Sequence, residues 1–206
     1  MGFYSDRILP HLIRLTMRGR DFVPYRERTL ATAAGRVLEV GIGSGENLPR
    51  YGSAVTEVIG LEPSARLAAM ARAAAKPAVL PVTIMELSAE KIPLDAQCVD
   101  TAVMTWTLCS IANPTSALRE IRRVLKPEGR LLFVEHGLAP DRGVRDWQRR
   151  LTPLWKRLAG GCHLDRDMPA LISSADFKID RLATGYMRGP RPMTFMYEGT
   201  ATRDTR

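Results

Sequence analysis

Three glycines at alternate positions, Gly41, Gly43 and Gly45, lie between two acids, Glu39 and Glu62, and these five residues carry the clearest chemical signal in the sequence. Glycine tolerates positive φ and lets a backbone approach a ligand closely. Glu62 stands about 20 residues after the first glycine, where an acidic side chain in a nucleotide site accepts hydrogen bonds from ribose hydroxyls. Two ligands compete for this pattern. A dinucleotide wants Gly-x-Gly-x-x-Gly, with helix-start amides facing a pyrophosphate. Here the spacing is Gly-x-Gly-x-Gly, and Glu46 fills the place of the third dinucleotide glycine. A carboxylate there repels a diphosphate, and so does Glu39. An ammonium group suits Glu39 well. A nucleoside carrying a zwitterionic amino-acid tail satisfies both Glu39 and Glu62, and S-adenosyl-L-methionine is such a cofactor. The plain alternative is a tight turn that binds nothing; the ordered series of strand, turn, helix and distal acid weighs against it.

His136 is the foremost residue for acid–base work. It follows a strand, so it faces the carboxyl-terminal rim of a sheet, and imidazole titrates near neutrality. A thiol acceptor, with an ordinary pKa near 8.5, needs only modest help to ionise. Two roles stay open for His136: general base, or a hydrogen bond that orients the loop after the strand. Cys162-His163 looks like half a metal site, but no second pair stands at ligand spacing, so no metal is expected. Cys109 and Cys162 are candidate walls of an acceptor pocket, or simply buried small side chains. Trp147 and Tyr186, with Trp155 and Met187, either build an apolar pocket or pack.

The elements that must hold these residues follow from pattern. Arg36–Val40 is a short β-branched strand entering the glycine turn. Further strands are predicted at 57–61, 82–86, 100–106 and 130–135, with helices at 65–75 and 115–125 between them. Ser64 is a plausible cap for the first of these helices. Lys126-Pro127-Glu128-Gly129 reads as a turn. Such alternation implies right-handed crossovers and a parallel sheet. Beyond His136 the pattern changes: a loop at 137–143, helices at 144–158 and 169–175, then alternating strands at 177–183 and 193–199 that close the sheet with an antiparallel pair. Ahead of the core, Tyr4, Ile8, Leu12 and Leu15 recur at helical spacing, interleaved with arginines, over about 3–20. That helix docks on the domain or lies on a membrane surface. A second helix is expected at 25–33. The whole reads as one domain of 206 residues: lid helices in 1–34, a cofactor-binding core in 35–136, and acceptor-side helices with the sheet edge in 137–206.

These residues resemble a known family. Glu39-x-Gly41-x-Gly43-x-Gly45, Glu62 and Leu125-Lys126-Pro127-Glu128-Gly129 are similar to motifs of class I S-adenosylmethionine-dependent methyltransferases. Trp106-Thr107-Leu108-Cys109-Ser110, Glu135-His136-Gly137, Trp147-Gln148, Pro153-x-Trp155-Lys156 and Gly161-Cys162-His163-Leu164 resemble the subgroup that includes alkyl-thiol S-methyltransferases. The resemblance implies an α/β, Rossmann-like fold: a seven-stranded, mostly parallel sheet with helices on both faces and an N-terminal lid. It places Leu61 and Leu87 against the adenine, Ser88, Ala89 and Glu90 at the ring's edge, and Thr105 and Trp106 near the methionine tail. Asn47 in the turn and Tyr4 in the lid complete the implied cofactor set. Bacterial phospholipid N-methyltransferases and quinone C-methyltransferases share the cofactor half, and a non-catalytic nucleoside-binding module is a third possibility.

Composition sets the surroundings. Hydrophobic residues at 45% and charged residues at 25% are ordinary for a globular domain and exclude disordered or coiled-coil chains. The net charge of +8 comes from scattered arginines without a nucleic-acid motif, so nucleic acid is not an expected partner, while weak contact with anionic membrane stays open. Three cysteines without metal-type spacing suggest free thiols in a reducing compartment. No signal-peptide pattern or apolar anchor opens the chain, so a cytoplasmic setting is expected, with a small-molecule acceptor as the partner.

Overall fold

The computed structural model describes residues 2–204. Seven strands form one sheet: β1 Gly35–Val40, β2 Val55–Leu61, β3 Val82–Met85, β4 Val99–Thr105, β5 Leu125–His136, β6 Phe177–Tyr186 and β7 Phe195–Arg203. Their order is β3-β2-β1-β4-β5-β7-β6. The first five run parallel and β7 lies antiparallel to both β5 and β6. This is the expected sheet. Strand order reverses between β1 and β4, the switch point at which open α/β sheets take ligands.

Alternate residues of the central strands feed two separate cores. Leu38, Ala102, Met104, Leu131 and Phe133 face α4 (Pro114–Val124) and α6 (Met168–Ser173). Val37, Val58, Val103 and Leu132 face α2 (Val23–Leu30) and α3 (Ala65–Ala75). Burial on both faces explains why these strands read as continuous apolar runs. Ser64 caps α3 as expected, accepting from the Leu67 amide.

Four expectations need correction. No α-helix follows the glycine turn; after Asn47 the chain makes only a 3-10 turn over Leu48–Arg50, with Pro49 inside it and Gly52 soon after. Lys126–Gly129 is not a break before β5. Strand β5 begins at Leu125, and the extra residues are absorbed as a bulge where the pairing jumps from Val99–Leu125 to Thr101–Arg130. The penultimate strand extends to Tyr186 and the last begins only at Phe195, because Arg191–Thr194 forms a helical turn, α7. The N-terminal segment splits into a π-helical turn, Tyr4–Ile8, and α1, Leu9–Met17. It buries Leu9 and Pro10, while Ile8, Leu12 and Leu15 of the expected docking stripe stay exposed. Helix α5 (Arg142–Leu158) likewise leaves Trp147, Leu154 and Leu158 exposed. No helix among the described residues is long and apolar enough to cross a membrane.

Candidate active site

The glycine turn needs its glycines for different reasons. Gly41, Gly43 and Gly45 all have positive φ, at 69°, 57° and 82°. A Cβ on Gly41 would collide with the Thr107 side chain, so the first glycine permits β1 to pack against the loop after β4. A Cβ on Gly43 would meet no atom closer than 3.9 Å. Open space therefore lies in front of Gly43, where a ligand can approach the backbone.

Glu62, at the end of β2, fastens that turn. One carboxylate oxygen accepts from the Gly43 amide at 3.1 Å and the other from the Ser64 amide at 2.9 Å. Burial raises its pKa above the usual carboxylate range, and these two amides pull it partly back. Each oxygen retains a lone pair for a further donor. Glu39 is buried beneath the same turn, accepting from Asn47 Nδ2 at 2.8 Å and from the Tyr51 hydroxyl at 2.7 Å. Burial pushes its pKa up to about 7 against the opposing pull of Tyr51, Arg26 and Asn47.

Asn47 is wholly engaged in this network. Its side chain also donates to Thr105 Oγ1 at 3.1 Å and accepts from Arg26 at 2.6 Å. It braces Glu39 and Thr105 together, so its side chain works within the wall of the site. Arg26, buried on α2, and Tyr51 escape sequence reasoning. The signal for Arg26 is faint: one arginine among several in a polar helix.

The chain turns sharply after β4. Trp106 adopts φ of 54°, a left-handed conformation that a bulky residue holds only when its surroundings impose it. Phe22 meets its ring edge-on at 4.9 Å, and the Arg26 guanidinium stacks over it at the same distance. The N-terminal helices thus contact the loop after β4. Arg18 adds an ion pair to Glu46 at 2.8 Å, and Arg66 at the start of α3 donates to His11 on α1 at 3.2 Å. Tyr4 sits elsewhere, donating to the Leu158 carbonyl at 2.7 Å, so the lid reaches the turn through Arg18 and Arg26. Leu61 and Ala89 are buried near the end of the sheet and Leu87 is half-buried. Ser88 donates to Glu90 at 2.8 Å, and Glu90 in turn accepts from the Asn113 amide at 2.6 Å.

At the end of β5, Glu135 accepts from the Thr107 and Leu108 amides at 2.8 and 2.9 Å, shaping the loop that bears Cys109. Burial raises Glu135 to a pKa of about 8. A charged residue ending the apolar run Leu131–Val134 was the available signal for it. Gln148, fully buried, accepts from the Ala139 amide and donates to the Gly137 and Pro192 carbonyls, pinning the loop after β5. Trp147 beside it points outward, 56% exposed. It forms no enclosed wall, and neither does Tyr186, whose hydroxyl pairs with Asp141 while its ring carries Arg191 and packs on Phe195.

His136 is buried, with Nε2 3.0 Å from Cys162 Sγ. Cys109, His136 and Cys162 gather their ligand atoms within 4.8 Å of one another. His163 is not part of that group; its ring nitrogen and its amide both face the Cys109 carbonyl. Sequence spacing excluded the wrong pair, because the three residues come from separate segments. Burial lowers the imidazole pKa, but the Cys109 sulfur more than reverses this and leaves His136 raised. Cys109 is held below the ordinary thiol range by hydrogen bonding from Cys162, against burial and with help from His136.

Two surface depressions, of about 680 and 320 Å³, are lined by none of the sequence-predicted residues. The chemistry is concentrated instead at the sheet's switch point.

Residues 38–133 match a family model described as a methyltransferase domain. That segment is similar to methyltransferase domains, and the seven-stranded sheet that carries it has the Rossmann-like fold of solved methyltransferases. A thiol S-methyltransferase of Rattus norvegicus is 44% identical over 79 residues, covering 38% of this chain and 32% of that protein. A ubiquinone/menaquinone biosynthesis C-methyltransferase of Syntrophotalea carbinolica is 34% identical over 139 residues, 63% of this chain and 58% of that protein. The chain thus spans about a third of the length of the first relative and under two thirds of the second. A solved putative methyltransferase from Bacillus halodurans shares the fold with a TM-score of 0.70 at 16% identity, covering 91% of this chain and 100% of that one. The matched family segment takes in Glu39, Glu62 and the open glycine, Gly43.

Proposed function

We propose that this protein transfers the methyl group of S-adenosylmethionine to a small apolar acceptor, a thiol before other nucleophiles. The observation that carries the donor assignment is the pairing of Glu62 with the Gly43 amide at the edge of open space, with buried Glu39 behind it. The donor supplies an electrophilic methyl on a sulfonium. On this reading Glu62 takes the ribose hydroxyls and Glu39 offers negative charge to the ammonium group. Leu61 and Leu87 flank the adenine, with Ser88 and Ala89 at its edge, while Thr105 and Trp106 border the methionine tail. Displacement at a methyl carbon needs little covalent assistance; alignment and exclusion of water dominate. The lid contributes both through Phe22 and Arg26 on Trp106. The acceptor's thiol ionises at the Cys109, His136 and Cys162 group. The rat relative's name as a thiol S-methyltransferase supports the choice of acceptor, and three free cysteines suit a reducing, cytoplasmic setting.

A second reading has its own support. Phe3, Ile8, Leu12 and Leu15 are exposed on the arginine-bearing N-terminal segment, as are Trp147, Leu154 and Leu158 on α5, and Tyr4 ties the two together. Exposed apolar side chains among arginines suit an anionic membrane surface and a lipid or quinone acceptor. The test is methyl transfer from labelled donor to an alkyl thiol, a phospholipid and a quinol in parallel. Label on the thiol alone is the expected result. Label on the lipid or quinol, with binding to anionic vesicles, replaces the thiol reading. Donor binding with label on none of the three leaves a nucleoside-binding module or an acceptor of another class.

A further inference from the structure

Three soft ligands converge on the acceptor side from remote parts of the chain. Cys109 lies in the turn after β4, His136 ends β5, and Cys162 follows α5. All three are buried, and one ligand atom from each lies within 4.8 Å of the others. Zinc bonds of about 2.3 Å to sulfur and about 2.0–2.1 Å to nitrogen place tetrahedral neighbours roughly 3.5–3.8 Å apart. The cluster can therefore close on an ion with small side-chain movements.

The surrounding contacts hold the ligands in place. The His163 amide donates to the Cys109 carbonyl at 2.9 Å, and Arg166 donates to the Leu108 carbonyl, docking the loop of Cys162 on the loop of Cys109. Trp155 Nε1 points at Cys162 Sγ from 3.3 Å, and Ser110 Oγ lies 3.5 Å from Cys109 Sγ. Such outer contacts orient metal ligands. Two buried polar atoms beside the group, His136 Nδ1 and Glu135 Oε2, have no hydrogen-bond partner among the described residues. With no partner fixing Nδ1, the proton can reside there and leave Nε2, the nitrogen that faces Cys162, unprotonated as a ligand.

We propose that Cys109, His136 and Cys162 form a binding site for one thiophilic divalent cation, zinc foremost, whose fourth position takes the sulfur of the thiol acceptor. Three protein ligands with one position left over is the arrangement of catalytic rather than structural zinc. Only the identity of the fourth ligand rests on the thiol-methylation reading. The loop that bears Cys109 touches the glycine turn, where Thr107 Oγ1 lies 3.4 Å from the Gly41 carbonyl oxygen. The chemistry balances without another reagent. The acceptor's S–H proton leaves to solvent as its sulfur binds the cation. A sulfur lone pair then forms the bond to the methyl carbon while the sulfonium's carbon–sulfur bond breaks, its electron pair returning to the donor sulfur. The thioether product is a weak ligand and departs.

The experiment is metal uptake by the purified full chain under reducing conditions, read without any donor. We expect a single equivalent of zinc to be retained through gel filtration. Cobalt should give thiolate charge-transfer absorption that Cys109→Ser and Cys162→Ser each abolish. In the wild type, zinc should protect Cys109 and Cys162, but not Cys98, from a thiol reagent; this readout needs no variant to fold. An alkyl thiol should shift the cobalt bands. Absence of zinc retention and of cobalt bands, or a Cys109–Cys162 disulfide forming in place of uptake, overturns the site. Uptake with bands indifferent to thiol overturns the assignment of the fourth ligand. Uptake and thiol response without methyl transfer keep the site and defeat the proposed reaction instead.

Discussion

The donor and acceptor sides of this domain are built in opposite ways. The donor side is local: Glu39, the three glycines, Asn47, Tyr51 and Glu62 belong to one strand–turn–strand unit, held by contacts such as Glu62 with Gly43. The acceptor side is assembled over distance. Cys109, His136 and Cys162 come from three segments, and the contacts that align them run from Glu135, Gln148 and Arg166. On the proposed reading, a donor that many acceptors share is met by a compact unit, while the part that meets the acceptor is borne on loops positioned by long-range hydrogen bonds. Loops on a rigid scaffold commonly carry specificity.

This contrast can be broken at the turn first. Gly41→Ala forces a side chain onto positive φ and into Thr107. Strain alone costs on the order of 1–3 kcal/mol, and the overlap adds to it. Thermal unfolding should show a clear loss of stability, with donor uptake gone. A variant as stable as wild type would mean that the two loops are not locked together.

Glu62→Ala should weaken donor binding by about 1.5–3 kcal/mol, typical of a hydrogen bond to a charged group. Calorimetry reads this directly, and unchanged affinity would remove Glu62 from the ribose position.

Glu39 gives a pH signature. Its pKa in the folded protein is raised from 4.5 to about 7, so it favours folding most below pH 4.5, and that contribution is lost as pH rises to 7. Donor binding should run the other way. An ammonium group beside Glu39 favours the ionised form, so affinity rises with pH through about 7, and protons are released below it. Glu39→Gln should flatten the profile. A slope that survives the substitution would assign the titration elsewhere.

The smallest effect is expected at the lid. Arg18 pairs with Glu46 but is half exposed, and such pairs contribute roughly 0.2–1 kcal/mol. Arg18→Ala should leave unfolding almost unchanged and weaken donor affinity slightly, with the difference vanishing at high salt.

How much of this was legible follows the same division. Alternating strands and helices, the five parallel strands and the glycine–acid unit are encoded in periodicity and short spacing, and they read directly from residues 35–136. The single 3-10 turn after Asn47 was not, because the glycine motif resembles a helix start and only Pro49 and Gly52 argue against continuation. The apolar stripe of Ile8, Leu12 and Leu15 revealed a helix but not which side docks. Arg26 has no local pattern around it; its role arises only when α2 packs over Asn47 and Thr105. Likewise Cys162 stands next to His163 in sequence, whereas its partners in space are His136 and Cys109.

The central claim is that the turn after β1 holds an adenosyl sulfonium by its diol and its amino-acid end. Calorimetric titration of the wild-type chain with S-adenosylmethionine, its demethylated product and a nicotinamide dinucleotide tests it directly. Saturable uptake of the first two and none of the dinucleotide is the predicted result. Uptake of the dinucleotide alone would contradict it.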